Sequence, residues 1–183
     1  MKHIYGYVFV VFGFVALAVA GIYCLEYRHR QELEKVQNAN IILISKQEMK
    51  LRLIDYKGEE IFSAPVATGK KAGNKRKAGD MRTPEGVFQV SDIQRATDWK
   101  HDFGDGKGEI DGAYGDFFIR LQVPGYRGIG IHGTHLPESI STRASEGCIR
   151  MDNEDLKRLI SLICPPLTVV ITPGVEDEVE NHL

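Results

Sequence analysis

The chain has 183 residues, with 25 acidic against 23 basic side chains and a formal charge of −2 at pH 7. This balance excludes a strongly basic protein that binds nucleic acid by neutralising phosphates. Hydrophobic residues make up 43% and charged residues 26%, which is typical of a globular protein and not of a disordered one. Three cysteines are too few for a disulfide scaffold. The composition therefore predicts one globular domain of ordinary size.

The first segment, residues 4–25, contains no charged side chain. About 20 apolar residues suffice to cross a hydrocarbon layer of about 30 Å as a helix. Two interpretations stay open for residues 1–25: an uncleaved membrane anchor, or a signal segment cleaved after Ala18-Val19-Ala20. Basic residues after the segment slightly outnumber those before it, and the positive-inside rule then disfavours an exported domain.

Residues 26–39 are polar and predict a linker, and the apolar patterns beyond them predict a mainly β domain over residues 40–173. Strands are predicted, in chain order, at residues 41–44, 49–54, 61–67, 87–91, 117–123, 128–132 and 167–171. The second and third of these form a hairpin around the turn at residues 55–58. Residues 70–82 predict a basic, glycine-rich loop, either solvated or attracting anionic polymer, and residues 98–115 a polar loop.

One amphipathic helix is predicted near the end of the chain. Its apolar side chains follow helical spacing, and Asp152 or Asn153 is the candidate N-cap. The apolar positions are Leu156, Leu159, Ile160 and Ile163. Pro165-Pro166 ends the helix, and residues 174–183 predict a frayed acidic tail. Cys164, on the apolar side of this helix, is predicted to lie in the core.

Residues 131–151 contain the candidate catalytic residues. Their sequence is IHGTHLPESISTRASEGCIRM. Cys148 is a candidate nucleophile, and His132, at the end of a predicted strand, is a candidate base. Gly147 permits a tight turn, and the charge of Arg150 favours a thiolate or binds a carboxylate. An inert buried cysteine remains the alternative. A zinc site that includes His135 is disfavoured, since HxxH at a strand end lacks the helical geometry of metalloproteases.

These residues resemble the signature of a known family. The sequences His132-Gly133-Thr134 and Ser145-x-Gly147-Cys148-Ile149-Arg150 are similar to the L,D-transpeptidase catalytic domain, the YkuD-like family. The resemblance extends over residues 40–173 and includes residues 66–70, 83–88 and 128–131. The chain departs from the family pattern at Glu146, where His, Arg or Lys is common, and at Ser141, where Gly is frequent.

The resemblance implies an L,D-transpeptidase-type β-sandwich or barrel with a short helix near its C-terminal end, and the apolar residues 4–25 predict one transmembrane helix before it. The resemblance also implies that Cys148 attacks the carbonyl before the terminal D-alanine of a peptidoglycan stem peptide, with His132 as base. The carbonyl of Gly133 is expected to orient His132. Backbone N–H groups around Gly147 are expected to stabilise the oxyanion. Thr134, Ser145 and Arg150 are the remaining residues expected to bind or orient the substrate. No metal or organic cofactor is implied.

An amine acceptor would give a cross-link that remodels the wall, whereas water would make the enzyme a carboxypeptidase or endopeptidase. A non-catalytic wall-binding module is a further alternative. The expected location is the cytoplasmic membrane, spanned once by residues 4–25, with a monomeric catalytic domain on the periplasmic side. Secretion after signal cleavage is the other possibility.

Overall fold

The computed structural model describes residues 17–31, 40–104, 106 and 108–182, which fall into an N-terminal and a C-terminal unit. Residues 17–31 of the first unit form helix α1, whose large apolar side chains are exposed. No helix within the described residues combines the length and the hydropathy that crossing a membrane requires. Residues 4–16 of the predicted anchor and residues 32–39 of the predicted linker lie outside the described residues, so the anchor stays a prediction.

The second unit is mainly β, as the sequence predicts. Its described strands are β1 (Ile41–Ser45), β2 (Lys50–Ile54), β3 (Glu60–Gly69), β4 (Gly86–Arg95), β5 (Lys100–Asp102), β6 (Glu109–Asp111), β7 (Phe117–Gln122), β8 (Gly130–His132), β9 (Arg143–Ser145), β10 (Ile149–Met151) and β11 (Thr168–Thr172). The helices of this unit are a 3₁₀ turn (Pro137–Ser139), α2 (Asn153–Leu162) and α3 (Val175–Asn181).

Nine strands form one sheet in the order β10-β8-β7-β4-β11-β1-β2-β3-β9. Because β10 also pairs with β3, the sheet closes on itself as a barrel, and only β9 lies outside the ring. Closure removes unpaired edges that would otherwise template association with other chains. The predicted hairpin is present, since β2 and β3 are antiparallel.

Alternating apolar residues build the core. In β1 and β2, Ile42 pairs with Leu53 and Ile44 with Leu51, and all four side chains are fully buried. Burying each such side chain contributes about 1.5–3 kcal/mol relative to leaving it in water. The barrel interior thus follows directly from the period of two in the sequence.

Helix α2 begins as predicted. The carboxylate of Asp152 accepts hydrogen bonds from the N–H groups of Glu154 and Asp155, so it is the N-cap. Leu156 and Leu159 are buried, whereas Cys164, predicted to be a core residue, is exposed. That prediction was wrong because the chain leaves the helix after Leu162, so helical spacing no longer places the side chain of Cys164.

Residues 98–115 and 174–183 differ from the prediction. The first contains the two-stranded sheet β5–β6, and the second forms α3 instead of a frayed tail. A buried ion pair fixes α3: Asp177 lies 2.8 Å from the ammonium of Lys46 and 2.9 Å from the guanidinium of Arg143. Lys46 and Asp177 are both fully buried. Glu85, 2.6 Å from the same ammonium, supplies a second carboxylate, so the buried charges are compensated, as burial requires.

The basic loop, residues 70–82, is held from within the chain. Lys75 pairs with Asp80 at 2.8 Å, and Arg82 pairs with Glu180 of α3. Burial opposes ionisation of Asp80, but hydrogen bonds from Lys75 and from backbone N–H groups keep its pKa well below the usual range. The loop is therefore an ordered, partly neutralised wall against α3, which neither sequence interpretation anticipated.

We expect Asp177→Asn to destabilise the protein by about 2–3 kcal/mol, because it removes charge-assisted bonds to two cations and leaves Lys46 with Glu85 at 2.6 Å and Arg143 with exposed Glu176. Burial opposes the charge of Asp177, yet hydrogen bonds from Lys46, Arg143 and two backbone N–H groups lower its pKa from 3.8 to about 2. The wild type should therefore lose this contribution as the pH falls from about 4 through about 2. Urea unfolding measures both effects. Glu178→Gln, an exposed change in the same helix, is the control, and an equal loss in both variants would contradict the expectation.

Candidate active site

The parallel pairing of β8 with β10 brings the two predicted catalytic residues together. Ile149 lies opposite Ile131, and Arg150 opposite His132. Side chains alternate along a strand, so His132 and Arg150 share the face opposite the buried isoleucine pair. Cys148 lies in the bend that immediately precedes β10, two residues before Arg150.

His132 is buried and held on three sides. Its Nδ1 lies 2.6 Å from the carbonyl oxygen of Gly133, the contact expected from the resemblance. Phe118 stacks parallel to the imidazole with ring centres 5.6 Å apart, and Tyr114 meets the ring edge-to-face at 4.8 Å. Since a carbonyl only accepts, Nδ1 carries the proton and Nε2 is the free base. Burial lowers the pKa of His132 to about 3, so the ring is neutral at physiological pH.

A tight turn presents Cys148. The hydroxyl of Ser145 donates to the carbonyl of Cys148 and accepts from the N–H of Gly147. Gly147 has a φ of +131°, and a Cβ there would lie 2.8 Å from the carbonyl oxygen of Arg82. Ser145 therefore occupies the N–H of Gly147, which orients the turn and is not free to bind an oxyanion in this structure.

The thiol of Cys148 is half-buried and donates to the carbonyl of Gly128, with Sγ 3.3 Å from the oxygen. Burial raises the pKa of this thiol to about 11, although the cations of Arg150 and Lys75 oppose the shift. The thiol of Cys148 and the imidazole of His132 are therefore both neutral at rest. Such a pair reacts by proton transfer to the base during attack.

Arg150, two residues after Cys148, is 6% exposed. Its guanidinium packs over the ring of Phe103 at 5.0 Å. Its Nε is buried and has no hydrogen-bond partner among the described residues. A buried donor that lacks a partner is unfavourable, and an anionic ligand would satisfy it.

Asn153, the first residue of α2, pins the segment after the base. Its side chain accepts from the N–H of Thr134 at 2.9 Å and donates to the carbonyl of Thr134 at 3.0 Å. A Cβ at Gly133 would collide with the Asn153 amide. Gly133 and Thr134 thus position His132, and sequence reasoning considered Asn153 only as a helix cap.

Cys148 opens onto a cleft of about 290 Å³. Its lining includes two basic side chains, Lys75 and Arg127, and one carboxylate, that of Glu146. Tyr114 and His101 complete the wall near Glu146. Lys75 belongs to the predicted basic loop and His101 to the predicted polar loop, and no spacing signal links either residue to Cys148. Within the described residues, no three His, Cys, Asp or Glu side chains converge closely enough to hold a metal ion.

Comparison with known proteins agrees with this geometry. A profile of the YkuD family, the L,D-transpeptidase catalytic domain, matches residues 39–171. YqjB of Bacillus subtilis, whose name assigns it to the L,D-transpeptidases, is 34% identical over 134 residues, which cover 72% of this chain and 70% of YqjB. The chain therefore belongs to the YkuD family of L,D-transpeptidase catalytic domains.

Solved structures share the fold. The helical cell shape determining protein Pgp2 from Campylobacter jejuni is 25% identical with a TM-score of 0.56, over 74% of this chain and 48% of Pgp2. The catalytic domain of the E. faecium L,D-transpeptidase is 20% identical with a TM-score of 0.54, over 74% of this chain and 98% of that domain. The chain thus spans about half the length of Pgp2 and nearly all of the isolated catalytic domain.

We expect the alkylation rate of Cys148 by iodoacetamide to rise about tenfold per pH unit from pH 6 to pH 9, because burial raises its thiol pKa to about 11. Mass spectrometry of the tryptic peptides measures the rate, and exposed Cys164 on the same chain controls for the reagent. A plateau at or below neutral pH would instead indicate a preformed thiolate–imidazolium pair.

We expect Gly147→Ala to reduce thiol reactivity and thermal stability, since its Cβ would collide with the Arg82 carbonyl at a φ of +131°. Gly58→Ala is the matched control. Gly58 also has a positive φ, of +85°, but a Cβ there would meet no atom within 4 Å. Equal losses in the two variants would show that backbone strain alone, and not the packing under Cys148, determines the outcome.

Proposed function

We propose that this chain is a cysteine-dependent L,D-transpeptidase that acts on peptidoglycan stem peptides. The observation that carries the proposal is the β8–β10 register, which puts His132 and Arg150 on one face next to Cys148. Membership of the family supports the reaction class.

In the first half-reaction, Sγ of Cys148 attacks the carbonyl between the third residue and the terminal D-alanine. Nε2 of His132 takes the thiol proton and delivers it to the leaving amine of D-alanine. The C–N bond breaks and a thioester remains. The Nδ1 contact with Gly133 keeps Nε2 unprotonated at the start of this step.

In the second half-reaction, an acceptor nucleophile attacks the thioester. The nitrogen of another stem gives a cross-link, whereas water gives a tripeptide. Arg150 attracts a substrate carboxylate on the donor side, which its unpartnered Nε supports. Because stem peptides lie outside the cytoplasmic membrane, we place the catalytic domain on the periplasmic side, with residues 4–25 as anchor or cleaved signal.

We expect the full chain, incubated with a disaccharide tetrapeptide, to form a covalent Cys148 adduct and a dimer. Cys148→Ala should abolish both, and His132→Ala should slow them about 10²–10⁴-fold, the usual contribution of a positioned general base. Mass spectrometry detects the adduct and the products. Cys164→Ala is the matched control, since this exposed thiol lies outside the cleft.

The products separate the alternatives. Dimer supports the transferase, and tripeptide without dimer supports the carboxypeptidase. Full turnover by Cys148→Ala would overturn the mechanism, and the absence of any turnover by the wild type would favour a wall-binding module.

A further inference from the structure

Glu146 departs from the family pattern and lies beside the nucleophile. It precedes Cys148 by two residues within the turn that Ser145 organises, and it lines the same cleft. Its carboxylate is about one-third exposed, so a ligand in the cleft can reach it.

A hydrogen-bonded chain orients this carboxylate. Oε2 of Glu146 lies 3.0 Å from Nε2 of His101, and Nδ1 of His101 lies 3.1 Å from the hydroxyl of Tyr114. A carboxylate only accepts, so Nε2 carries a proton, and in the neutral ring Nδ1 then accepts from Tyr114. Burial raises the pKa of Tyr114 and keeps it a donor. The contacts thus run from Tyr114 through His101 to Glu146.

The charge of Glu146 is unfavourable for the first half-reaction. It opposes ionisation of Cys148 and contributes to the raised pKa of that thiol. Once Cys148 is acylated, however, the sulfur is a neutral thioester and this penalty disappears. The carboxylate of Glu146 can then act only on a group that binds during the second half-reaction.

Among the charged side chains described in the cleft, Glu146 is the one suited to attract a cationic group. The ammonium of Lys75 is already compensated by Asp80 at 2.8 Å, and Arg127 is a cation. Among the described residues that line the cleft, Glu146 is the one carboxylate. A cationic group that enters next to the thioester would therefore bind there.

We propose that Glu146 is a specificity-determining residue that binds the protonated amine of the acceptor and so favours transfer over hydrolysis. The inference rests on the proposed function. The bound ammonium releases one proton to water, and its nitrogen then bonds to the acyl carbon while the C–S bond breaks. The second proton passes through His132 to Sγ of Cys148 and regenerates the thiol.

The test compares Glu146→Gln with the wild type at limiting acceptor. The amide keeps an oxygen that accepts from His101 but loses the charge. We expect the dimer-to-tripeptide ratio to fall about tenfold, the effect of one lost charge-assisted hydrogen bond, with a matching rise in acceptor KM. The rate of Cys148 adduct formation should be unchanged or slightly faster.

Two further variants and a second acceptor sharpen the readout. Glu146→Asp retains the charge and should retain most of the ratio, whereas Glu146→Lys should acylate but form almost no dimer. Glu138→Gln, an exposed change outside the cleft, should match the wild type. Hydroxylamine, uncharged at pH 7.5, should be used equally well by the wild type and by Glu146→Gln.

The outcomes distinguish this inference from the proposed function. A wild type that forms no Cys148 adduct overturns both. A wild type that forms adduct and dimer, with an unchanged ratio in Glu146→Gln and Glu146→Lys, overturns only the role of Glu146. A wild type that forms adduct and tripeptide without dimer overturns amine selection and leaves the acyl-enzyme mechanism intact.

Discussion

The backbone hydrogen bonds of β10 are the constraint on which the barrel and the site both depend. This strand is three residues long, yet it pairs with β8 on one side and β3 on the other. The first pairing aligns His132 with the strand that follows Cys148, and the second closes the sheet. Loss of the first would release Cys148 from the strand that carries His132, and loss of either would open an edge of the sheet. Fold and chemistry therefore share one short segment, whose three side chains are all buried.

Electrostatics in the cleft follow from the same burial. The low-dielectric surroundings favour a neutral thiol and a neutral imidazole, and the aromatic rings of Tyr114 and Phe118 exclude water from His132. The charged groups nearby are the buried guanidinium of Arg150, the Lys75–Asp80 pair, and the side chains of Glu146 and Arg127 in the cleft lining. In the proposed mechanism, charge on the thiol and imidazole therefore develops only as the reaction proceeds.

Regular patterns in the sequence predicted much of the fold. Alternation in Ile42, Ile44, Leu51 and Leu53 identified two core strands, because burial of every second residue leaves a local signal. The motif around Cys148 identified the candidate pair. Contacts between distant residues left no such signal. Lys46 follows a strand like any solvated lysine, and only the folded chain reveals that Asp177 lies beside it. Similarly, His101 gains its role from Glu146, 45 residues away.

The wall formed by residues 70–82 has a consequence for the order of folding. Its N–H contact from Gly73 reaches the carboxylate of Asp177, 104 residues further along the chain. Contacts of such long sequence separation are slow to form, because a large loop must close before they contribute. The barrel itself requires an even longer closure, because β1 pairs with β11, with Ile41 opposite Thr168. During synthesis, the closed ring and this boundary of the cleft therefore both wait for residues 168–181.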